Sequence, residues 1–317
     1  MEAFVIDAFG DTPVLREVPA PAPGPGQLQI KVRAAGINPL DWKIADGELA
    51  KSGADFSFPL TLGFDVAGTV TALGEDADTF AVGDEVFGMV WPGSFQHGSF
   101  ARTMLAPADT ALAPRPDSLD PVAAAALPMT GGTALAALDT LHLQRGQTLL
   151  VVGATGGVGS YALQMAAARG AHVIAVAAAA DHAYARELGA DETIDHKTTD
   201  VADAVRAAHP DGIDAVLDLA GNREAVNGRI APLLREGGRL LSTVFAADVD
   251  ALAARKISAA NFFYHASPAD MTALADQVTS GALRVAETTT YPLTSIADAY
   301  TASTSGHVRG KLVVTVD

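Results

Sequence analysis

The chain contains no cysteine. That excludes disulfides, thiolate metal sites and a cysteine nucleophile, and it leaves the redox compartment open. Positive charge is scarce: 21 Lys and Arg face 37 Asp and Glu, a formal net charge of −16. So acidic a chain is a poor partner for nucleic acid or an anionic membrane, although a phosphorylated cofactor needs only local positive groups. No uninterrupted apolar run reaches the ~18 residues of a membrane span. Met1-Glu2-Ala3-Phe4-Val5 lacks the basic region and apolar run of a secretory signal. The expectation is a soluble cytoplasmic protein. Residues 1–115 hold no tyrosine, which excludes a tyrosine acid from that segment.

What is present points to two domains. A length of 317 residues with 49% apolar composition can bury large cores. Residues 1–115 are rich in Gly and Pro and carry short apolar runs. Leu28–Ala34 alternates with period two and reads as a half-buried strand. Asp65–Leu73, Glu85–Met89 and Ser99–Met104 are further strand-like pieces, and together they suggest a small β-barrel-like domain.

From residue 116 strands and helices alternate, which implies a parallel, doubly wound sheet in an α/β domain. Strands are expected at His172–Val176, Glu192–Ile194, Ile213–Leu219 and Arg239–Val244. In the third, Ile213, Ala215, Leu217 and Leu219 share one face. Helices are expected at His182–Leu188, capped by Asp181, at Val201–Ala208, and from about residue 220 to Arg235. Ser267-Pro268-Ala269-Asp270 should start another, with Met271, Leu274, Ala275 and Val278 buried and Gly281 as its stop. Leu312–Val316 is a strand with no helix after it, and should dock on the N-terminal domain.

The most informative stretch is Leu149-Leu150-Val151-Val152-Gly153-Ala154-Thr155-Gly156-Gly157-Val158-Gly159-Ser160. A buried strand leads into four glycines, and Val158, Tyr161, Ala162, Met165 and Ala166 then fall on one face of a helix. Strand, glycine turn and helix together make a dinucleotide site credible: the backbone turns tightly, and unpaired helix N–H groups meet a pyrophosphate. Gly153, Ala154, Thr155, Gly156, Gly157 and Val158 are the candidate cofactor-binding residues of this loop.

Several stretches in order along the chain carry a family resemblance: Ala35-Gly36-Ile37-Asn38-Pro39-Leu40-Asp41-Trp42-Lys43, Gly63-Phe64-Asp65-Val66-Ala67-Gly68, Val82-Gly83-Asp84-Glu85-Val86, Gly98-Ser99-Phe100-Ala101, Leu127-Pro128-Met129-Thr130-Gly131-Gly132-Thr133-Ala134, and the glycine loop. With them the chain resembles the zinc-independent, quinone oxidoreductase-like branch of the medium-chain dehydrogenase/reductase superfamily. The resemblance implies a GroES-like domain over residues 1–115, completed by the tail 287–317, a Rossmann domain over 116–286, and a cleft between them for nicotinamide and substrate. Zinc-dependent members carry a catalytic Cys near Asn38 and a catalytic His at the position of Phe64; neither is present here. Asp41, Asp65 and some of the eight His remain as oxygen or nitrogen donors, but the His are scattered, and no metal is expected.

The resemblance puts Asn38 beside the nicotinamide, where its amide would hold a substrate carbonyl or the cofactor; turn chemistry before Pro39 is the alternative. Asn38 and Lys43 are the candidate catalytic donors for a developing oxygen anion. Asp41 and Lys43 read as well as a surface ion pair, and Trp42 as a packed hydrophobe. Thr130 reads as a nicotinamide contact or a helix cap, and Phe262 and Phe263 as a nicotinamide wall or as strand core. Arg309 and Lys311, flanking Gly310, read as cofactor contacts or as solvated charges, and Val244 joins the cofactor set. Trp91 and His97 lie in a loop that should border the cleft; His97 reads as a proton donor or an ordinary surface residue.

The implied function is reduction of a quinone or an α,β-unsaturated carbonyl by a nicotinamide cofactor. Reduction of an enoyl thioester is the enzyme alternative, and a non-catalytic cofactor-binding or sensing protein is the alternative of another class. NAD-specific Rossmann domains carry an acidic residue at the end of the second strand, about 20 residues past the glycines. Here Ala177-Ala178-Ala179-Ala180 ends that strand, which favours NADP and leaves NAD possible. Ala178 lines the 2′-phosphate position, and His182, or a basic residue from elsewhere in the fold, would pair the phosphate. A homodimer is expected from the resemblance, with Asn261–His265 as its edge strand.

Overall fold

In this computed structural model residues 1–51, 53–91, 94–306 and 308–316 are described. They divide into two units, Met1–Gly132 with Ala266–Asp317, and Thr133–His265; the first boundary falls inside the helix Pro128–Thr140.

The first unit is built from short strands. Gln27–Gly36 is its hub: it pairs antiparallel with Asp65–Leu73, Thr103–Pro107 and the tail strand Lys311–Thr315. Val314 stands opposite Ala35, so the returning tail does dock on the N-terminal segment. Asp65–Leu73 continues the sheet to Glu85–Met89 and then Ala111–Pro114. A four-stranded sheet runs in the order Val14–Glu17, Glu2–Ile6, Asp55–Thr61, Ser94–His97. Ser99–Met104 is not one strand: Ser99 and Phe100 donate to the carbonyls of Gly63 and Leu62, Ala101 makes an isolated bridge to Ala3, and a strand begins only at Thr103. The helix Pro268–Thr279 starts at Ser267 with a capping box closed by Asp270, and buries Met271, Leu274 and Ala275.

The second unit is a six-stranded parallel sheet in the order Glu192–Asp195, His172–Ala177, Thr148–Val152, Ile213–Asp218, Leu234–Ser242, Ser258–Asn261. Strand order reverses beside Thr148–Val152, the point at which doubly wound sheets bind ligands. Ile213–Asp218 is buried along its whole length, not on one face, because a central parallel strand is covered on both sides. The expected helix to Arg235 is broken up. A short helix Arg223–Ala225 widens into a π turn at Val226–Ile230, tightens at Ala231–Leu233 and becomes strand from Leu234. Pro232 has no N–H to continue a helix. Gly237 and Gly238 lie within the strand, where the register jumps from Ile213 opposite Leu234 to Ala215 opposite Arg239. Asp181 makes no side-chain cap to the helix His182–Glu187; a 3₁₀ turn, Ala179–Asp181, leads into it instead. The sheet edge is Ser258–Asn261, so Asn261–His265 is no strand and Phe262 and Phe263 lie beyond the last one. Among the described residues no helix is long and apolar enough to cross a membrane.

Candidate active site

Asn38, Asp41, Asp65 and Lys311 come together in the first unit, each no more than 2% exposed. Lys311 Nζ donates to Asn38 Oδ1 and, at 3.1 Å, to Asp65 Oδ2. Asn38 Nδ2 donates to Asp65 Oδ2 at 2.9 Å and to the Gly36 carbonyl at 3.4 Å. The Met129 amide supplies Asp65 Oδ1 with a bond of 3.1 Å. Lys311 is therefore no solvated charge, and both amide protons of Asn38 have acceptors. Burial raises the Asp65 carboxyl, while Lys311, Asn38 and the Met129 amide pull it down.

Asp41 lies in the helix Pro39–Ala45, where Pro39 occupies the first turn and Asp41 Oδ2 accepts from the Asn38 amide at 2.6 Å. It forms no surface ion pair with Lys43. Its Oδ1 has no hydrogen bond of normal geometry, and the Gly63 amide adds only the weakest opposing pull. Burial, with the Asp65 charge adding to it, pushes the carboxyl up to about 8. Lys43 is half-buried, its Nζ 5.7 Å from the Trp42 ring centre. Tyr300, from the tail, packs edge-on against Phe4, and burial together with Asp46 and Asp41 keeps its hydroxyl protonated. Sequence reasoning missed this tyrosine because only the fold brings residues 300 and 41 near each other.

Phe64 is 4% exposed in an aromatic cluster: it stacks on Trp91 and meets Phe95 edge-on, both at 5.7 Å. An apolar pocket beside it is lined by Ile44, Leu62, Val90, Phe95 and His97. Burial holds the His97 imidazole below its ordinary value, so at neutral pH it carries no proton to give as a cation. Among the described residues, no third His, Asp or Glu ligand gathers with Asp41 and Asp65. Among the described residues, the one group of three His, Asp or Glu ligands lies elsewhere, in the second unit.

In the second unit the glycine loop fits a dinucleotide. Gly153 is left-handed at φ +82°, and a Cβ on Gly159 would stand 2.5 Å from the Ala154 carbonyl and the Gly153 oxygen, so helix and strand close up only around glycine. The helix Gly157–Ala168 starts at Gly156 with no side-chain cap, a helix start of the kind that can receive a phosphate. Gly153 and Gly156–Val158 are partly exposed, whereas Ala154 and Thr155 are buried. Ser160 Oγ donates to the Gly156 carbonyl at 2.9 Å and accepts from Tyr184 at 3.2 Å, which fixes the loop from below. Asp218 ends the neighbouring strand opposite Val152 and ties Gly221 and Ser242 at 2.7 Å each.

The other candidates are dispersed. Thr130 is no N-cap: it lies within the helix Pro128–Thr140, and its hydroxyl donates at 2.9 Å to the Ala126 carbonyl that precedes it. Val244 packs on the core of the second unit, and Phe263 is 39% exposed against His265. Arg309 pairs with Glu287 at 2.6 Å. Ala178 precedes the 3₁₀ turn, and the buried Nε2 of His182 has no partner. Ala177 stands opposite Asp195, whose carboxylate accepts from Lys197 N at 3.0 Å and Thr198 Oγ1 at 2.8 Å and takes a further bond from the Ala179 amide. His196 and Lys197 thus follow directly on the strand end beside Ala177, a neighbourhood that only the sheet order reveals.

Two family models match the chain. The family described as alcohol dehydrogenase GroES-like domain matches residues 24–117, and the one described as zinc-binding dehydrogenase matches 188–314. The mitochondrial NAD(P)H oxidoreductase RTN4IP1 of Mus musculus is 31% identical over 358 residues, covering 100% of this chain and 89% of that protein. The chloroplast envelope quinone oxidoreductase homolog of Arabidopsis thaliana is 29% identical, covering 94% of this chain and 92% of its own. The quinone oxidoreductase structure from Coxiella burnetii superposes with a TM-score of 0.89 at 29% identity, covering 100% of this chain and 99% of that one. The chain is thus an oxidoreductase, and it belongs to the quinone oxidoreductase-like branch of the medium-chain dehydrogenase/reductase superfamily, with a GroES-like domain and a parallel Rossmann-type sheet.

Proposed function

We propose that this protein is an NADPH-dependent reductase of quinones or α,β-unsaturated carbonyls that works without a catalytic metal. The observation that carries the reading is the buried cluster. Asp65 is taken by Lys311, Asn38 and the Met129 amide, and Phe64 is packed among aromatics, so no ligand set remains there to polarise a carbonyl. Without an electrophilic metal, alcohol oxidation loses its usual way of stabilising an alkoxide, whereas a conjugated acceptor spreads its developing charge onto oxygen. When bound, the reduced nicotinamide supplies the hydride. Lys43 is the donor assigned to the developing oxygen anion. Asn38 either positions the segment before the helix or exchanges its long bond to Gly36 for a bond to substrate or cofactor.

For the cofactor, the glycine loop would hold the pyrophosphate. None of Ala177–Ala180 carries a carboxylate, although Asp195 accepts from the Ala179 amide, and His182 and Lys197 are the groups assigned to pair a 2′-phosphate. Thr130, Val244, Phe263 and Arg309 remain proposed contacts on the nicotinamide side. A homodimer paired through Ser258–Asn261 belongs to the same reading and would cover an open strand edge; sedimentation at micromolar concentration tests it.

The deciding experiment is turnover of a panel of quinones and enones with NADPH and NADH at one salt concentration, with and without chelator. NADPH should be preferred, chelation should leave the rate intact, and Lys197→Ala should erode the preference by about tenfold or less, the worth of one exposed charge pair. Cofactor binding with no turnover on any acceptor would favour a sensing protein. Tighter binding of NADH would overturn the cofactor assignment.

A further inference from the structure

His172, Glu192 and His209 are far apart in sequence and play no part in the site above. The fold gathers them at the N-terminal ends of the parallel strands, whereas the glycine loop leaves the opposite end of the same sheet. His172 opens the strand His172–Ala177, Glu192 opens Glu192–Asp195, and His209 follows the helix Val201–Ala208. Both imidazoles aim Nε2 at one oxygen, Glu192 Oε1, from 2.6 Å and 2.9 Å. The three ligand atoms lie within 4.8 Å of one another.

We propose that these residues form a binding site for a late first-row divalent ion, zinc being the best match. Two imidazole nitrogens and one carboxylate oxygen are a borderline donor set; magnesium and calcium take oxygen ligands. Ligand atoms on a tetrahedral zinc stand about 3.4 Å apart, given zinc bonds of about 2.1 Å. The Glu192 carboxylate therefore has to retreat from each ring by less than about 1 Å to admit the ion. It has room to do so: the side chains of His172, Glu192 and His209 are 38%, 35% and 19% exposed. That exposure also leaves a fourth position for water.

The backbones beneath are held. The His172 amide donates to Gln147 O at 2.9 Å, and the His209 amide to Val205 O at 2.7 Å. Behind His172, the Asp191 carboxylate stands 3.5 Å from Nδ1 and is itself fixed by the Val173 amide at 2.8 Å. Without an ion, Nε2 of His172 is the nitrogen that meets the Glu192 carboxylate; on metal binding a proton on Nδ1 would face Asp191 and leave the Nε2 lone pair to the ion, as in metal-bound histidines. An ion here would tie two strand starts to a helix end, clamping the edge strand of the sheet. The histidines have no helical ligand spacing in the sequence, and these three side chains meet because the fold brings three separate segments together.

The test uses the full chain without a histidine tag. Zinc is titrated by calorimetry, cobalt by its visible absorption, and the melting temperature is followed with zinc, magnesium and chelator. One zinc per chain should bind, with a chelator-reversible rise in melting temperature and none with magnesium. His209→Ala and Glu192→Gln should each weaken zinc binding by about a hundredfold or more, and Asp191→Asn by about tenfold. Glu192→Gln keeps size and shape, so it reads the ligand role even if a histidine deletion disturbs the edge. Zinc binding of equal strength in the parent and in Glu192→Gln overturns the site, as does a parent that binds no zinc at millimolar concentration.

Discussion

The two units handle their polar groups in opposite ways. The first buries charge in side chains: Lys311, Asp65 and Asn38 lie out of water and satisfy one another, with Asp41 buried beside them on the Asn38 amide. Around its glycine loop the second works mainly with backbone: glycines that let chain approach chain, and amides without a side-chain cap at the start of Gly157–Ala168. A side-chain cluster is rigid and strongly interdependent, since removing one member strands the others in a low-dielectric interior. A backbone cradle is more forgiving of the fold and less forgiving of the ligand.

The largest effect should come from breaking the side-chain cluster. Lys311→Met leaves Asp65 buried with only neutral donors, and should destabilise the protein by about 3–5 kcal/mol. Urea unfolding measures it; a loss below about 1 kcal/mol would mean that the cluster relaxes or admits water.

Asp41 sharpens the comparison through pH. In the unfolded chain its carboxyl ionises near 3.8, in the folded chain not until about 8. Between those values the folded form keeps a proton the unfolded form has released, so the group subtracts stability as pH rises through the window and nothing more above it. Asp41→Asn retains an oxygen acceptor for the Asn38 amide and does not titrate. The variant should therefore gain on the parent from pH 4 to 8, by at most about 1.4 kcal/mol per pH unit. Denaturation curves across that range check it, and a parent that gains on the variant as pH rises would reverse the assignment.

The smallest effect on stability should come from Gly156→Val. Gly156 has φ −74° and ψ −177°, extended backbone that valine accepts. The melting curve should move little, by under about 1 kcal/mol. Dinucleotide binding should fall roughly tenfold to a hundredfold, the worth of one charge-assisted hydrogen bond lost. Unchanged affinity in a folded variant would remove the loop from the binding site.

The same contrast explains how much was readable. The glycine loop is contiguous, so strand, turn and helix were visible in twelve consecutive residues, and Asp65–Leu73, Glu85–Met89 and Val201–Ala208 emerged with the expected ends. The segment after residue 220 was misread because a helical apolar pattern continued past Gly228 toward Pro232, and only sheet pairing from Leu234 shows where it stops. Lys311 left two readings open, cofactor contact or solvated charge, because a lone lysine before a strand carries no local mark of burial. Its partners lie 246 and 273 residues away. Lys197 beside Ala177, Tyr300 near Asp41, and the His172, Glu192 and His209 cluster share that character.

The sequence by itself determined the alternation of strands and helices, the glycine loop, the acidity and the absence of thiolate ligands, because periodicity, backbone permissiveness and composition are local or additive properties. Tertiary structure decided which charges are buried, which carboxyl holds its proton near neutrality, and which histidines converge. Those depend on desolvation and on distances of a few ångströms between residues that only strand order and register bring together.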